Sequence, residues 1–67
     1  MNAAKLKSIM VLNGDKNKDL AEYLGISEQS VSNKINENGT EFKQGEIRKI
    51  IERYNLTPDD YTAIFFT

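Results

Sequence analysis

The chain has no cysteine, no histidine and no tryptophan among its 67 residues. Without cysteine there is no disulfide framework, and without cysteine and histidine there is no thiolate or imidazole metal site. A Ser-His-Asp or Cys-His catalytic arrangement is excluded as well, because its general base is missing. The longest apolar runs, residues 9–12 and 63–66, are far shorter than a membrane-spanning helix. These absences predict a small cytoplasmic domain without metal or cofactor.

The composition is that of a folded protein rather than a disordered one. Hydrophobic residues make up 39% of the chain and charged residues 28%, which is an ordinary globular balance. A chain of this length has room for one small core. We therefore expect residues 1–67 to form a single domain.

The charge is slightly acidic overall but unevenly distributed. The formal net charge is −1 and the sequence pI is near 5.3, which argues against a nonspecific coat on nucleic acid. Residues 1–18 nevertheless hold four lysines against one aspartate, a net of +3, while residues 19–67 carry a net of −4. This asymmetry leaves room for a localised basic surface.

Capping and turn signals divide the chain into five short helical segments, which predicts an all-α fold. Asn2 is expected to cap the first segment, and Asp15 or Asn17 the second. The later segments are expected to start at Ser27, near residue 44 and at Thr57, where Pro58 and two acidic residues strengthen the signal. The expected ends are Asn13-Gly14, Gly25, Asn38-Gly39 and Asn55, and the expected buried stripe of the first helix is Ala3, Leu6, Ile9, Met10 and Leu12.

An alternative interpretation places β-hairpins at the two Asn-Gly pairs, since this dipeptide favours tight hairpin turns. Neither pair is flanked by alternating apolar residues, and both follow a helical pattern. The alternative is strongest at Asn38-Gly39.

Residues 17–35 are the most informative segment, and they read NKDLAEYLGISEQSVSNKI. The pattern is that of two short helices crossing over a tight turn. Ala21 is small where the helices meet, Gly25 permits the turn, and Ile26 and Val31 fill the space between the helices.

This segment resembles the helix-turn-helix of the phage repressor and Cro family. The resemblance extends over nearly the whole chain, because residues 42–47, 55–60 and 64–66 also read like those of small prophage regulators. It implies a compact five-helix repressor-like domain that reads a double-stranded DNA operator as a homodimer. The residues of the segment that carry the match are Leu20, Ala21, Gly25, Ile26, Ser27, Val31 and Ser32.

Within this framework, the exposed side of the third helix carries the candidates for base readout. Gln29 and Asn33 lie four residues apart and share one helix face. Each amide offers a donor and an acceptor, as the major-groove edge of adenine requires. Glu28 either accepts from a cytosine amino group or favours the helix N-terminus, and Ser30 completes the set. Outside this framework, the same side chains would be an ordinary solvated face.

Other polar side chains are candidates for contacts to the DNA backbone. They are Asn17, Lys18, Ser27, Lys34 and Lys43. Ser27 has a competing role as a helix cap, and each lysine has one as a solvated surface charge. The ammonium of Lys34 is expected to extend toward a phosphate along a partly buried stem.

The C-terminal residues Ile64, Phe65 and Phe66 are candidates for a dimer interface. Adjacent aromatic rings are seldom left in water in a chain this small. We expect one ring to lie in the core and the other at an interface.

The sequence therefore predicts a transcriptional regulator of phage repressor or Cro type. A dimer would set two third helices into successive major grooves, about 34 Å apart, on an inverted repeat. A second hypothesis is a protein-binding module on the same scaffold, such as an antirepressor, which the acidic total and the acidic residues 37–41 would suit. An enzyme is not expected, since the chain hardly has room for a substrate cleft.

Overall fold

Helices joined by short connections make up residues 1–66, which are the residues that the computed structural model describes, and no strand occurs among them. The helices are α1 (Ala3–Leu12), α2 (Asn17–Leu24), α3 (Glu28–Ile35), α4 (Gln44–Tyr54) and α5 (Pro58–Phe65). The predicted five-helix, all-α fold is confirmed. The hairpin alternative is wrong at both sites, because each Asn-Gly pair lies in a turn that follows a helix.

Local side-chain hydrogen bonds fix the starts of three helices. The Asn2 side chain accepts from the Lys5 amide at 3.1 Å, and Thr57 accepts from the Asp60 amide at 3.2 Å. Ser27 Oγ accepts from the Ser30 amide at 3.0 Å. Each bond satisfies one of the backbone donors that a helix start leaves without an intrahelical partner.

Left-handed residues end α2 and α4 where the sequence predicts it, at Gly25 with φ +74° and Asn55 with φ +50°. The predicted end of α3 at Asn38-Gly39 is wrong, because the helix stops at Ile35. Glu37 takes a left-handed φ of +54°, and the Asn38 amide donates to the Asn33 carbonyl at 2.9 Å. This pattern is that of a Schellman motif, in which a left-handed residue after the helix lets the next amide bond back to a carbonyl of the last turn.

The core lies where all five helices meet, and α2 and α3 pack most closely. The Ile26 amide donates to the Ala21 carbonyl at 3.1 Å, which brings the start of α3 back onto α2. The Asn2 amide donates to the Ile64 carbonyl at 2.7 Å, joining the start of α1 to the end of α5. The buried apolar residues are Leu6, Met10, Leu20, Ala21, Leu24, Val31, Ile35, Phe42, Ile50, Tyr54, Leu56 and Ile64.

The prediction that Leu12 belongs to the buried stripe of α1 is wrong. Its exposed fraction is 84%, and that of Val11 is 74%. Each residue of an α-helix turns by about 100°, so Leu12 lies on the opposite side of the axis from the buried Met10. The last turn of α1 therefore presents two apolar side chains to solvent.

Candidate nucleic-acid interface

The outer face of α3 carries a pair of amide side chains that are joined to each other. Gln29 Nε2 donates to Asn33 Oδ1 at 3.1 Å, as their i,i+4 spacing permits. Gln29 is exposed and Asn33 is half-buried. The bond leaves Gln29 with its Oε1 acceptor and a second N–H, and it leaves Asn33 with both N–H donors. The pair therefore presents a fixed acceptor beside several donors.

The first turn of α3 holds the other predicted base-contact residues. The Ser27 hydroxyl donates to Ser30 Oγ at 2.9 Å while it accepts from the Ser30 amide. The Ser27 hydroxyl therefore acts both as donor and as acceptor in the cap of α3. The Ser30 hydroxyl only accepts in this pair, so its proton can still be donated. Glu28 is exposed at the positive end of the helix.

The start of α2 presents polar groups on the flank of α3. Asn17 is the first residue of α2, and Lys18 follows it on the exposed surface. The predicted cap at Asp15 or Asn17 is wrong: Asp19 accepts from the Lys16 amide at 2.8 Å and closes this end. The amides of a helix start attract anions, so Lys16, Asn17 and Lys18 lie at a position suited to a phosphate.

The start of α4 lies next to the end of α3 and is tied to it by one carboxylate. Glu46 Oε1 accepts from the Lys43 amide at 2.8 Å and from the Lys34 ammonium at 2.7 Å. Burial, the largest influence, raises the pKa of Glu46, but the bonds from Lys34 and the Lys43 amide outweigh it and lower that pKa overall. The Lys43 side chain itself is exposed.

This ion pair corrects the prediction for Lys34. The lysine is buried, at 8% exposure, and its ammonium turns inward to Glu46 instead of outward to a phosphate. A buried ammonium needs a compensating charge, and Glu46 supplies it. Lys34 therefore connects α3 to α4 within the fold.

A second cluster, which the sequence analysis did not anticipate, lies at the far end of α4. Arg53 donates from Nε to Asp15 Oδ2 at 2.7 Å and from Nη2 to Oδ1 at 3.0 Å. The Tyr54 hydroxyl donates to Asp15 Oδ2 at 2.7 Å, and the Arg53 guanidinium lies 4.8 Å from the Tyr23 ring centre. We name Asp15, Tyr23, Arg53 and Tyr54 the Asp15 cluster.

The Asp15 cluster is electrostatically well matched. The Arg53 hydrogen bonds are the main reason that the pKa of Asp15 lies below its ordinary value. Burial and the neighbouring carboxylate raise the pKa of Tyr54. No periodic pattern could have revealed the cluster, since Asp15 and Arg53 are 38 residues apart.

The three predicted dimer residues have different surroundings. Ile64 is fully buried, so it stabilises the monomer core and has no surface for a partner. Phe65 is half-buried and packs edge-on against Phe42, with 6.3 Å between the ring centres. Phe66 is 65% exposed and meets Tyr61 edge-on at 6.5 Å. Phe66 is therefore the more exposed of the two rings, and its place at an interface stays a prediction.

The cations around α3 are available to a polyanion. Within residues 1–66, the side-chain ion pairs engage Lys5, Lys34 and Arg53. Three of the remaining basic residues, Lys16, Lys18 and Lys43, stand at the starts of α2 and α4. All three of these lysines are exposed.

The comparison with protein families agrees with the helix-turn-helix arrangement of α2 and α3. A family model described as helix-turn-helix matches residues 6–61. Comparison with curated proteins and with solved structures finds no match. In the described part of the chain, none of the helices has the length and apolar character needed to cross a membrane, and acidic side chains do not gather into a metal-binding group over residues 1–66.

Proposed function

We propose that the chain, which belongs to the helix-turn-helix family of phage repressor and Cro-type regulators, reads operator DNA. In this proposal, α3 lies in the major groove. The family consists of DNA-binding transcriptional regulators and not of enzymes. We further propose that the chain acts as a homodimer on an inverted repeat, in a phage or prophage setting. Occupancy of the operator then blocks or recruits RNA polymerase.

The joined Gln29–Asn33 pair is the observation that carries this proposal. A surface helix with no ligand commonly exposes a mixture of Glu and Lys, whereas α3 exposes two amides held in one orientation. Gln29 Oε1 and its second N–H match the N6 donor and N7 acceptor of adenine. The two N–H groups of Asn33 match the acceptors of guanine or thymine. Because the pair is already ordered, less side-chain entropy is lost on binding.

Backbone contacts on both flanks would set the register of α3. The start of α2 offers Asn17 and Lys18, and the start of α4 offers Lys43. Contacts of this kind orient a protein on the duplex without reading its sequence. The Ser30 hydroxyl and Glu28 are placed for further contacts at the N-terminal end of α3, where helix-turn-helix proteins meet the base edges.

A dimer contact through Phe66 fits the structure best among the predicted residues. The ring is largely exposed and already packs against Tyr61, while Phe65 closes the core beneath it. Two copies related by a twofold axis would bring four aromatic rings together. Such a contact would set the separation of the two α3 helices.

Selection from random duplex DNA at low and moderate salt tests the proposal. Enrichment of an inverted repeat is the expected result, with half-sites about 10 base pairs apart if the two α3 helices enter successive major grooves. Gln29→Ala/Asn33→Ala should lose about 1–3 kcal/mol of binding free energy per base contact. Lys7→Ala is the matched control, because Lys7 is exposed on α1. A double variant that binds the enriched duplex as tightly as the parent would contradict the choice of reading face.

A protein-binding module on the same scaffold is the second candidate, and the exposed Val11 and Leu12 favour it. Salt dependence separates the two functions. A DNA binder with about four to six phosphate contacts should show a logarithmic slope near −4 to −5. A pool that stays random at both salts, with a folded sample, would favour the protein partner.

A further inference from the structure

The Asp15 cluster connects three elements but does not belong to the surface of α3. Asp15 lies in the turn between α1 and α2, and Arg53 and Tyr54 form the last turn of α4. The side chains of Arg53 and Asp15 are 28% and 11% exposed, so the ion pair is largely shielded from solvent. A forked contact between a guanidinium and a carboxylate fixes orientation as well as distance.

The cluster holds α2 near both of its ends. Asp15 directly precedes Lys16, whose amide donates to the side chain of Asp19. The amide of Asp15 donates to the Met10 carbonyl at 2.8 Å. At the other end of α2, the ring of Tyr23 lies against the Arg53 guanidinium. One arginine therefore fixes the turn before α2 and the last turn of α2 at the same time.

The start of α2 is also the part of this helix that we propose to meet DNA. Asn17 and Lys18 follow Asp15 by two and three residues, so a change in the position of Asp15 moves them directly. Hydrogen bonds to phosphate are lost over displacements of less than 1 Å, since they need donor–acceptor distances of about 2.7–3.2 Å.

We infer that Arg53 is a positioning residue for DNA binding. Through Asp15 it holds the start of α2 where Asn17 and Lys18 reach one phosphate group in each half-site, and through Tyr23 it holds the other end of the same helix. Arg53 itself does not touch the operator. The inference rests on the proposed function, because it assigns to Arg53 the placement of that interface.

Arg53→Lys is the variant that tests this role. Lysine keeps the positive charge but cannot form the fork with Asp15, and its compact ammonium does not reproduce the planar contact with Tyr23. Arg48→Lys is the matched control, since Arg48 is exposed on the same helix. Tyr54→Phe, which removes only the hydroxyl bond to Asp15, is a second and milder variant in case Arg53→Lys does not fold.

The measurement is the dependence of DNA affinity on salt, with full-length protein and the duplex enriched in the selection. The slope is about −0.9 for each phosphate contact. A dimer that loses one contact in each half-site should have a slope shallower by about 1.8. The affinity advantage of the parent over Arg53→Lys should then shrink about 12-fold between 50 and 200 mM salt. The preference for the enriched sequence over a scrambled one should be unchanged, and Tyr54→Phe should shift the slope in the same direction.

The outcomes separate this inference from the proposed function. If Arg53→Lys and Tyr54→Phe lower the thermal midpoint but keep the parental slope, the cluster is only structural and the inference is overturned. If Arg48→Lys changes the slope as much as Arg53→Lys, the effect is not specific to the cluster and the inference is overturned as well. If the parent itself shows no salt-dependent binding, the proposed function fails and takes the inference with it.

Discussion

The buried ion pair between Lys34 and Glu46 gives a direct test of how α4 is held against α3. In Glu46→Gln, the side-chain oxygen can still accept from the Lys43 amide, so the start of α4 keeps its hydrogen bond. The charge that faces the Lys34 ammonium is lost. The ammonium is then buried without compensation, which lowers the free energy of unfolding.

The size of the effect follows from the burial of the pair. Removing one partner of a fully buried pair costs about 3–5 kcal/mol. The two side chains keep 10% and 14% of their exposure, so water relieves part of the cost, and we expect about 2–3 kcal/mol. A chain of 67 residues has a total stability of about 3–10 kcal/mol. The thermal midpoint should therefore fall by roughly 8–24 °C.

Urea unfolding followed by circular dichroism measures this loss. Glu52→Gln is the matched control, because Glu52 is exposed on the same helix, and it should change stability by less than about 0.5 kcal/mol. Lys34→Met/Glu46→Gln should regain much of the loss, since it leaves no unpaired charge. Equal stability of Glu46→Gln and Glu52→Gln would refute the reasoning, and so would a double variant no more stable than Glu46→Gln.

Three further predictions concern acid stability, assembly and capping. Because the native pKa of Asp15 lies below its ordinary value of 3.8, its contribution to stability is present above that ordinary value and is lost as the pH falls through the lower native pKa, so Asp15→Asn should flatten the urea midpoint across this acid range. Phe66→Ala should weaken self-association in sedimentation experiments, whereas Leu12→Ala, at a position that is also apolar and exposed, should not; the reverse result would move the interface to α1. Thr57→Ala should cost about 1 kcal/mol of unfolding free energy, because the cap on the Asp60 amide is lost, and no change in urea midpoint would contradict the assigned cap.

The helices could be predicted from the sequence because their signals are local. Asn2, Ser27 and Thr57 each bond to an amide three residues ahead. Gly25, which has no side chain, and Asn55 adopt left-handed conformations that these two residue types tolerate. Such interactions depend on a few neighbouring residues. They therefore survive in any compact arrangement of the chain.

The connections between helices could not be predicted in the same way. Lys34 and Glu46 are 12 residues apart, and Asp15 and Arg53 are 38 apart, so neither pair leaves a periodic trace. The correction for Lys34 has this origin, since its partner Glu46 lies on another helix. The correction at the start of α2 is local, because Asp19 closes this end three residues after Lys16, in place of Asp15 or Asn17.

The same two carboxylates add less negative charge to the surface than the net charge of the chain suggests. Asp15 and Glu46 are among the ten acidic residues that set the net charge of −1, yet each is neutralised by a cation from α4 or α3. Each of these two pairs is close to neutral, and Lys18 and Lys43 are exposed near them at the starts of α2 and α4. Because interactions between exposed charges are screened beyond about 8 Å at physiological salt, a phosphate at either start responds to these nearby groups. The net charge of the chain is therefore a poor guide to the charge near these two helix starts, because two of the ten acids are paired with cations beside them.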